Sequence, residues 1–79
     1  MFHTRSYEFF TVLKKPYGHD YWEQSMNIFE THDESINYIK DNSSWDCRPT
    51  GGSVDEWYDP GSGLTYKIVS CDNCGRIKA

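Results

Sequence analysis

The sequence predicts an α+β fold: one antiparallel sheet of four to five strands with a single short helix packed on it, in the order ββαββ or ββαβββ. Three observations carry this. Ser6 to Lys14 and Leu64 to Cys71 are rich in aromatic and β-branched residues and are bounded by turn chemistry. Thr31-His32-Asp33-Glu34 opens one short helical stretch. Proline and glycine punctuate the rest, in Lys15-Pro16-Tyr17-Gly18-His19-Asp20, Pro49-Thr50-Gly51-Gly52 and Asp59-Pro60-Gly61-Ser62-Gly63.

In the first strand, Tyr7, Phe9, Thr11 and Leu13 share one face and Glu8, Phe10, Val12 and Lys14 the other. Both faces hold apolar residues, so the strand is expected to be central. Tyr21 to Glu30 is read as its antiparallel partner, with Trp22, Met26 and Ile28 inward and Glu23, Ser25 and Asn27 outward. The helix is expected over residues 32–41. Thr31 caps it, Glu34 reaches back to the Thr31 N–H, and the acids complement the positive end of its dipole. Ile36 and Ile39 form its docking stripe, and Asn42-Ser43-Ser44 ends it. Two or three turns do not persist alone in water, so the isoleucines must dock on the sheet. Trp45 to Arg48 and Ser53 to Tyr58 are read as short strands. Leu64 to Cys71 is the last strand, with Leu64, Tyr66 and Ile68 on one face.

Seventy-nine residues make one domain, 1–79, and with aromatics at 16% of the chain the rings must supply much of the core. The net charge of −4 comes from twelve acids interleaved with eight bases. Without a basic stripe, direct nucleic-acid binding is not expected. Nor is the chain acidic enough to imitate a phosphate backbone. No apolar run is long enough to span a bilayer, and the first residues lack a secretory signal. An odd cysteine count argues against a disulfide framework. A cytoplasmic protein is therefore expected, and the start at Met1 suggests a complete gene product.

Cys71-Asp72-Asn73-Cys74-Gly75 has the spacing of half a zinc site. Cys47 and one histidine, with His32 at the helix start the candidate, would complete a set of Cys71, Cys74, Cys47 and His32. The plainer reading is a short terminal segment with unliganded thiols and no cofactor. His3, His19 and His32 lie at a terminus, a turn and a helix start, where histidines are usually solvated; no nucleophile elbow, metalloprotease helix or paired-carboxylate site accompanies them. An enzyme is not expected. The glycine-rich stretches join strands and lack the lysine of a phosphate-binding loop.

Trp45-Asp46 and Asp55-Glu56-Trp57-Tyr58-Asp59 combine rings with acids. On a strand Trp57 and Tyr58 point to opposite faces, so one is core and the other outward. An outward ring rimmed by Asp46, Asp55, Glu56 and Asp59, with Trp45 nearby, has the composition of a binding hot spot for a basic surface.

An acidic chain of this size, aromatic-rich and laid out from Tyr7 to Ser70 as a sheet with one helix, resembles phage-encoded accessory proteins, including anti-CRISPR and other counter-defence proteins. The resemblance is one of layout and carries no residue roles. It implies a compact inhibitor or modulator that binds a host or cellular protein and blocks a basic or nucleic-acid-binding surface. The alternative is a zinc-stabilised binding module. Dimerisation through a free sheet edge is open to either.

Overall fold

The computed structural model describes residues 8–51 and 54–77. His3, Ser6, Tyr7, Gly52 and Ser53, which entered the sequence-based reading, lie outside them. Among the described residues there are five strands and one helix. They are β1 (Phe9–Lys15), β2 (Glu23–Gln24), α1 (His32–Asp41), β3 (Arg48–Pro49), β4 (Glu56–Asp59) and β5 (Leu64–Cys71). The sheet is antiparallel throughout, in the order β2-β1-β5-β4-β3.

The two strands with the strongest β-forming sequence make the spine. β1 and β5 pair continuously from Phe9 opposite Cys71 to Lys15 opposite Thr65. Their register sorts side chains onto two faces, because paired residues point the same way and neighbours alternate. Phe10 and Val12 of β1 share one face with Leu64, Tyr66 and Ile68 of β5 and Trp57 of β4. On this face Val12, Trp57, Tyr66 and Ile68 meet Ile39 of α1 to form the core, edged by Phe10, Phe29, Ile36, Tyr38, Cys47 and Leu64. Ser35, fully buried, is the small residue that lets the helix approach the sheet.

Thr31 caps α1 by accepting the Glu34 N–H at 3.1 Å. The return bond differs from expectation: the Glu34 carboxylate accepts from the Glu30 N–H, one residue earlier, at 3.0 Å. At the other end Ser43 donates its hydroxyl to the Ile39 carbonyl at 2.6 Å, and the Asn42 amide donates to Tyr38 O at 2.8 Å.

Two expected strands contract. Tyr21 to Glu30 keeps only Glu23–Gln24 and an isolated bridge between Phe29 and Phe10. Between them the backbone leaves the ladder because side chains compete for it. The Thr11 hydroxyl takes the Asn27 carbonyl at 2.9 Å, and the Ser25 hydroxyl takes the Asn27 N–H at 3.3 Å. Met26, expected inward, is 95% exposed. Trp45 and Asp46 form a turn, closed by a bond from Cys47 N–H to Ser44 O, so the strand expected from Trp45 is only Arg48–Pro49. Pro49 has no N–H to give a further strand, which suits the sheet edge. The expected strand ending at Tyr58 shifts to Glu56–Asp59.

The β4–β5 turn closes with Gly63 at φ +79° and its N–H on the Asp59 carbonyl at 2.8 Å. Gly61 lies under Ser44, where an added Cβ would overlap the Ser44 hydroxyl and sit 2.9 Å from its Cβ. Gly61→Ala is expected to lower stability by about 1–3 kcal/mol, the usual cost of overpacking. The urea midpoint measures it, and Ser44→Gly in the same chain should recover part of the loss.

Candidate protein-binding surface

The aromatic-acidic segment is divided by the alternation of β4. Trp57 faces the core and is 6% exposed, with its indole N–H on the Val54 carbonyl at 2.9 Å and the Lys40 ammonium 5.8 Å from its ring centre. Of the two neighbouring rings it is the core one, so it is not an outward anchor. Its pairing with Tyr66 in the middle of the sheet puts it there. Tyr58 and Glu56 lie on the opposite face, half-buried.

Asp59 is also withdrawn from the surface, at 1% exposure. Burial pushes its carboxyl pKa up, but hydrogen bonds outweigh it: Ser44 N–H donates at 3.1 Å, the Ser62 hydroxyl at 2.8 Å and Gly61 N–H at 3.0 Å. The net result is a pKa below the ordinary 3.8. Nearby, burial first and then the Asp59 charge raise the Tyr66 phenol above 10.0. Tyr66 donates to the carbonyl of Asn42, the helix-capping residue, at 3.4 Å. Asp55 lies 2.6 Å from His32 Nε2 beside the helix start, and the His32 ring stands edge-on to Phe10. Asp46 is half-buried, with Oδ1 shielded from solvent. Asp59 therefore leaves the expected set of steering acids, and Asp55 serves first as a partner of His32.

What projects instead is Trp45, 95% exposed at the tip of the turn after α1. Next to it in the chain runs the outer helix face, where Phe29, Glu34, Asn37, Tyr38 and Asp41 line an open groove of about 440 Å³. The rings of Phe29 and Tyr38 pack with centroids 5.3 Å apart, forming an apolar floor under acidic walls. Sequence reasoning missed this groove. Its signal was present: Glu34, Tyr38 and Asp41 recur at i, i+4 and i+7, beside the Ile36/Ile39 stripe.

The cysteines are not brought together. Cys47 packs with the helix-side core, whereas Cys71 alternates with Ser70 on β5 and so faces the other way. Cys74 is exposed and His32 is engaged with Asp55. Among the described residues no three His, Cys, Asp or Glu side chains gather as a metal site. The Cys71–Gly75 turn is closed by a carboxylate: Asp72 Oδ1 accepts the N–H groups of Cys74 and Arg76, each at 2.9 Å. His19 is exposed and packs on Tyr21. No helix among the described residues is long and apolar enough to cross a membrane. Comparison with family profiles, with characterised proteins and with solved structures returned no significant match.

Asp59, with a lowered folded pKa, contributes stability that is complete above about pH 4 and is lost as pH falls through the folded value. Tyr66 acts in the opposite sense: its contribution is complete below pH 10.0 and is lost as pH rises through its raised value. Urea midpoints across pH should show both limbs. Asp59→Asn should lower the plateau and flatten the acid limb, because an amide nitrogen would face N–H donors. Separately, dialysis against a chelator should leave the melting temperature unchanged, and Cys74→Ser likewise. Asp72→Ala should lower stability by about 1 kcal/mol by freeing the turn.

Proposed function

We propose that this chain is a non-enzymatic binding protein that docks on a basic surface of a host protein and blocks it, in the manner expected of the phage counter-defence proteins its layout resembles. The observation that carries the reading is the exposed Trp45 ring, four residues after Asp41 of the acidic, aromatic-floored groove of α1. Buried anchors of this type dominate interface energetics, with Trp, Tyr and Arg enriched among them. The groove carboxylates of Glu34 and Asp41 steer a basic partner and raise the association rate more than the final affinity.

Trp45 is presented by a stiff base. Ser44, its neighbour, is tied to Asp59, and the helix end is tied by Asn42 and Ser43. A turn held this way loses little backbone freedom on binding, which favours affinity. Occlusion is steric, with the acids supplying charge complementary to a nucleic-acid-binding surface. The working compartment is the cytoplasm, whose reducing poise suits three thiols.

The test is affinity capture from a bacterial lysate with the wild type and with Trp45→Ala combined with Asp41→Lys. Proteins retained by the wild type and released by raised salt should be lost from the variant, with affinity for the purified partner reduced about thirtyfold or more. A variant that retains the same proteins with the same salt response would remove this surface from consideration.

A further inference from the structure

We infer that the helix-free face of the sheet binds single-stranded nucleic acid. The site is a row of alternating rings and cations that folding assembles from separate segments. Strand register defines the row: Arg48 of β3 pairs with Tyr58 of β4, Tyr58 with Thr65 of β5, and Thr65 with Lys15 of β1. Cross-strand partners share a face, so all four side chains stand on the side away from α1. Trp22, just before β2, completes the row, with the Lys15 ammonium 5.1 Å and the Lys67 ammonium 5.7 Å from its ring centre. Lys67 lies one row further along the same face, opposite Leu13 and Glu56.

The charge balance of this face is opposite to that of the whole chain. Lys15, Lys67 and Arg48 gather here with Glu56 the one acid in register, although the net charge is −4. The expectation of no nucleic-acid contact rested on the absence of a basic run. A sheet needs no run, since each strand supplies one or two members of the row.

Single strands are favoured by the chemistry. Bases stack on aromatic faces whatever their sequence, the half-buried Tyr58 and Trp22 rings offer the exposed part of theirs, and flanking cations hold the backbone. Tyr58 and Trp22 are separated by three strand spacings, about 14 Å, with the small Thr65 between them as a floor. An acidic peptide would use the cations and waste the rings. A second copy docked face to face would set these cations against their own kind. The face also has a defined end. Thr11 and Cys71 are fully buried there, Thr11 beneath the Ser25–Ile28 bulge and Cys71 beside the bridge to Ile77, so a bound strand lies across the sheet along the row.

This inference and the helix-side reading use disjoint residues, so either can fail alone. Fluorescence anisotropy of a labelled oligothymidylate of about ten nucleotides, against the full chain at low salt, tests it. Saturable binding is expected, with a logarithmic salt slope near −2, as about 0.7 per phosphate contact for three cations requires. An oligouridylate arm distinguishes RNA from DNA as the source. Lys15→Glu with Lys67→Glu should weaken binding about tenfold or more, Trp22→Ala about tenfold, and Trp22→Phe should retain most of it. Lys40→Glu, on the helix side, should change nothing, and melting curves confirm that each variant is folded. Absence of saturable binding, equal competition by duplex or polyglutamate, or wild-type affinity in the Lys15→Glu/Lys67→Glu chain would each overturn the inference.

Discussion

A single buried carboxylate, that of Asp59, joins the parts of this molecule that sequence distance keeps apart. It terminates β4, organises the β4–β5 turn through Gly61 and Ser62, and holds the loop after α1 through the Ser44 N–H. A charge removed from water is costly unless hydrogen bonds replace the lost hydration. Here the Ser44 and Gly61 N–H groups and the Ser62 hydroxyl replace it. The site demands the absence of a side chain at Gly61, because Ser44 occupies that space. Tyr66 lies below and donates to the helix-capping Asn42, so the same corner fixes where the helix ends relative to the sheet. Trp45 projects from this corner, and its position is therefore a consequence of the Asp59 bonds.

The spine formed by β1 and β5 has two unlike faces. On one, Val12, Ile39 and Ile68 interleave with Trp57 and Tyr66, rings compensating for few aliphatic side chains. On the other, Leu13, Thr65 and Lys67 leave a partly polar surface, covered among the described residues toward one end by the Ser25–Ile28 segment and the bridge of Ile77 to Cys71. A sheet with one helix can dry one face. The composition of the other face then decides what it can meet.

The parts legible in the sequence were those with uninterrupted local patterns. β5 and α1 have the expected limits, and β1 the expected neighbourhood, because alternation, capping residues and turn residues agree there. β2 was over-read: Trp22, Met26 and Ile28 alternate correctly, but Thr11, Ser25 and Asn27 make side-chain bonds that divert the backbone. Alternation in β4 separates Trp57 from Tyr58 without saying which is inside; only the pairing of Trp57 with Tyr66 decides. The Cys-x-x-Cys-Gly spacing marked a real turn, and what closes it is a carboxylate the spacing did not single out, that of Asp72. The row from Arg48 to Trp22 was invisible because it exists only in the strand order.

Trp45 contributes little to the fold, and this gives its exposure meaning. In so small a chain most large rings are drawn at least partly inward, as Trp22, Phe29, Trp57 and Tyr66 are. Isolated exposed apolar residues are ordinary on protein surfaces, but an indole 95% exposed on a braced turn contributes almost no burial. The residues proposed for binding are therefore separable from those that hold the fold: Asp59, Gly61 and Trp57 maintain the shape, while the exposed Trp45 and Asp41 can change without disturbing it. The cation row is separable in the same way, being on the opposite side of the spine. Two surfaces on one rigid body can act together, because a ligand held on one raises the local concentration of whatever is tethered to it at the other.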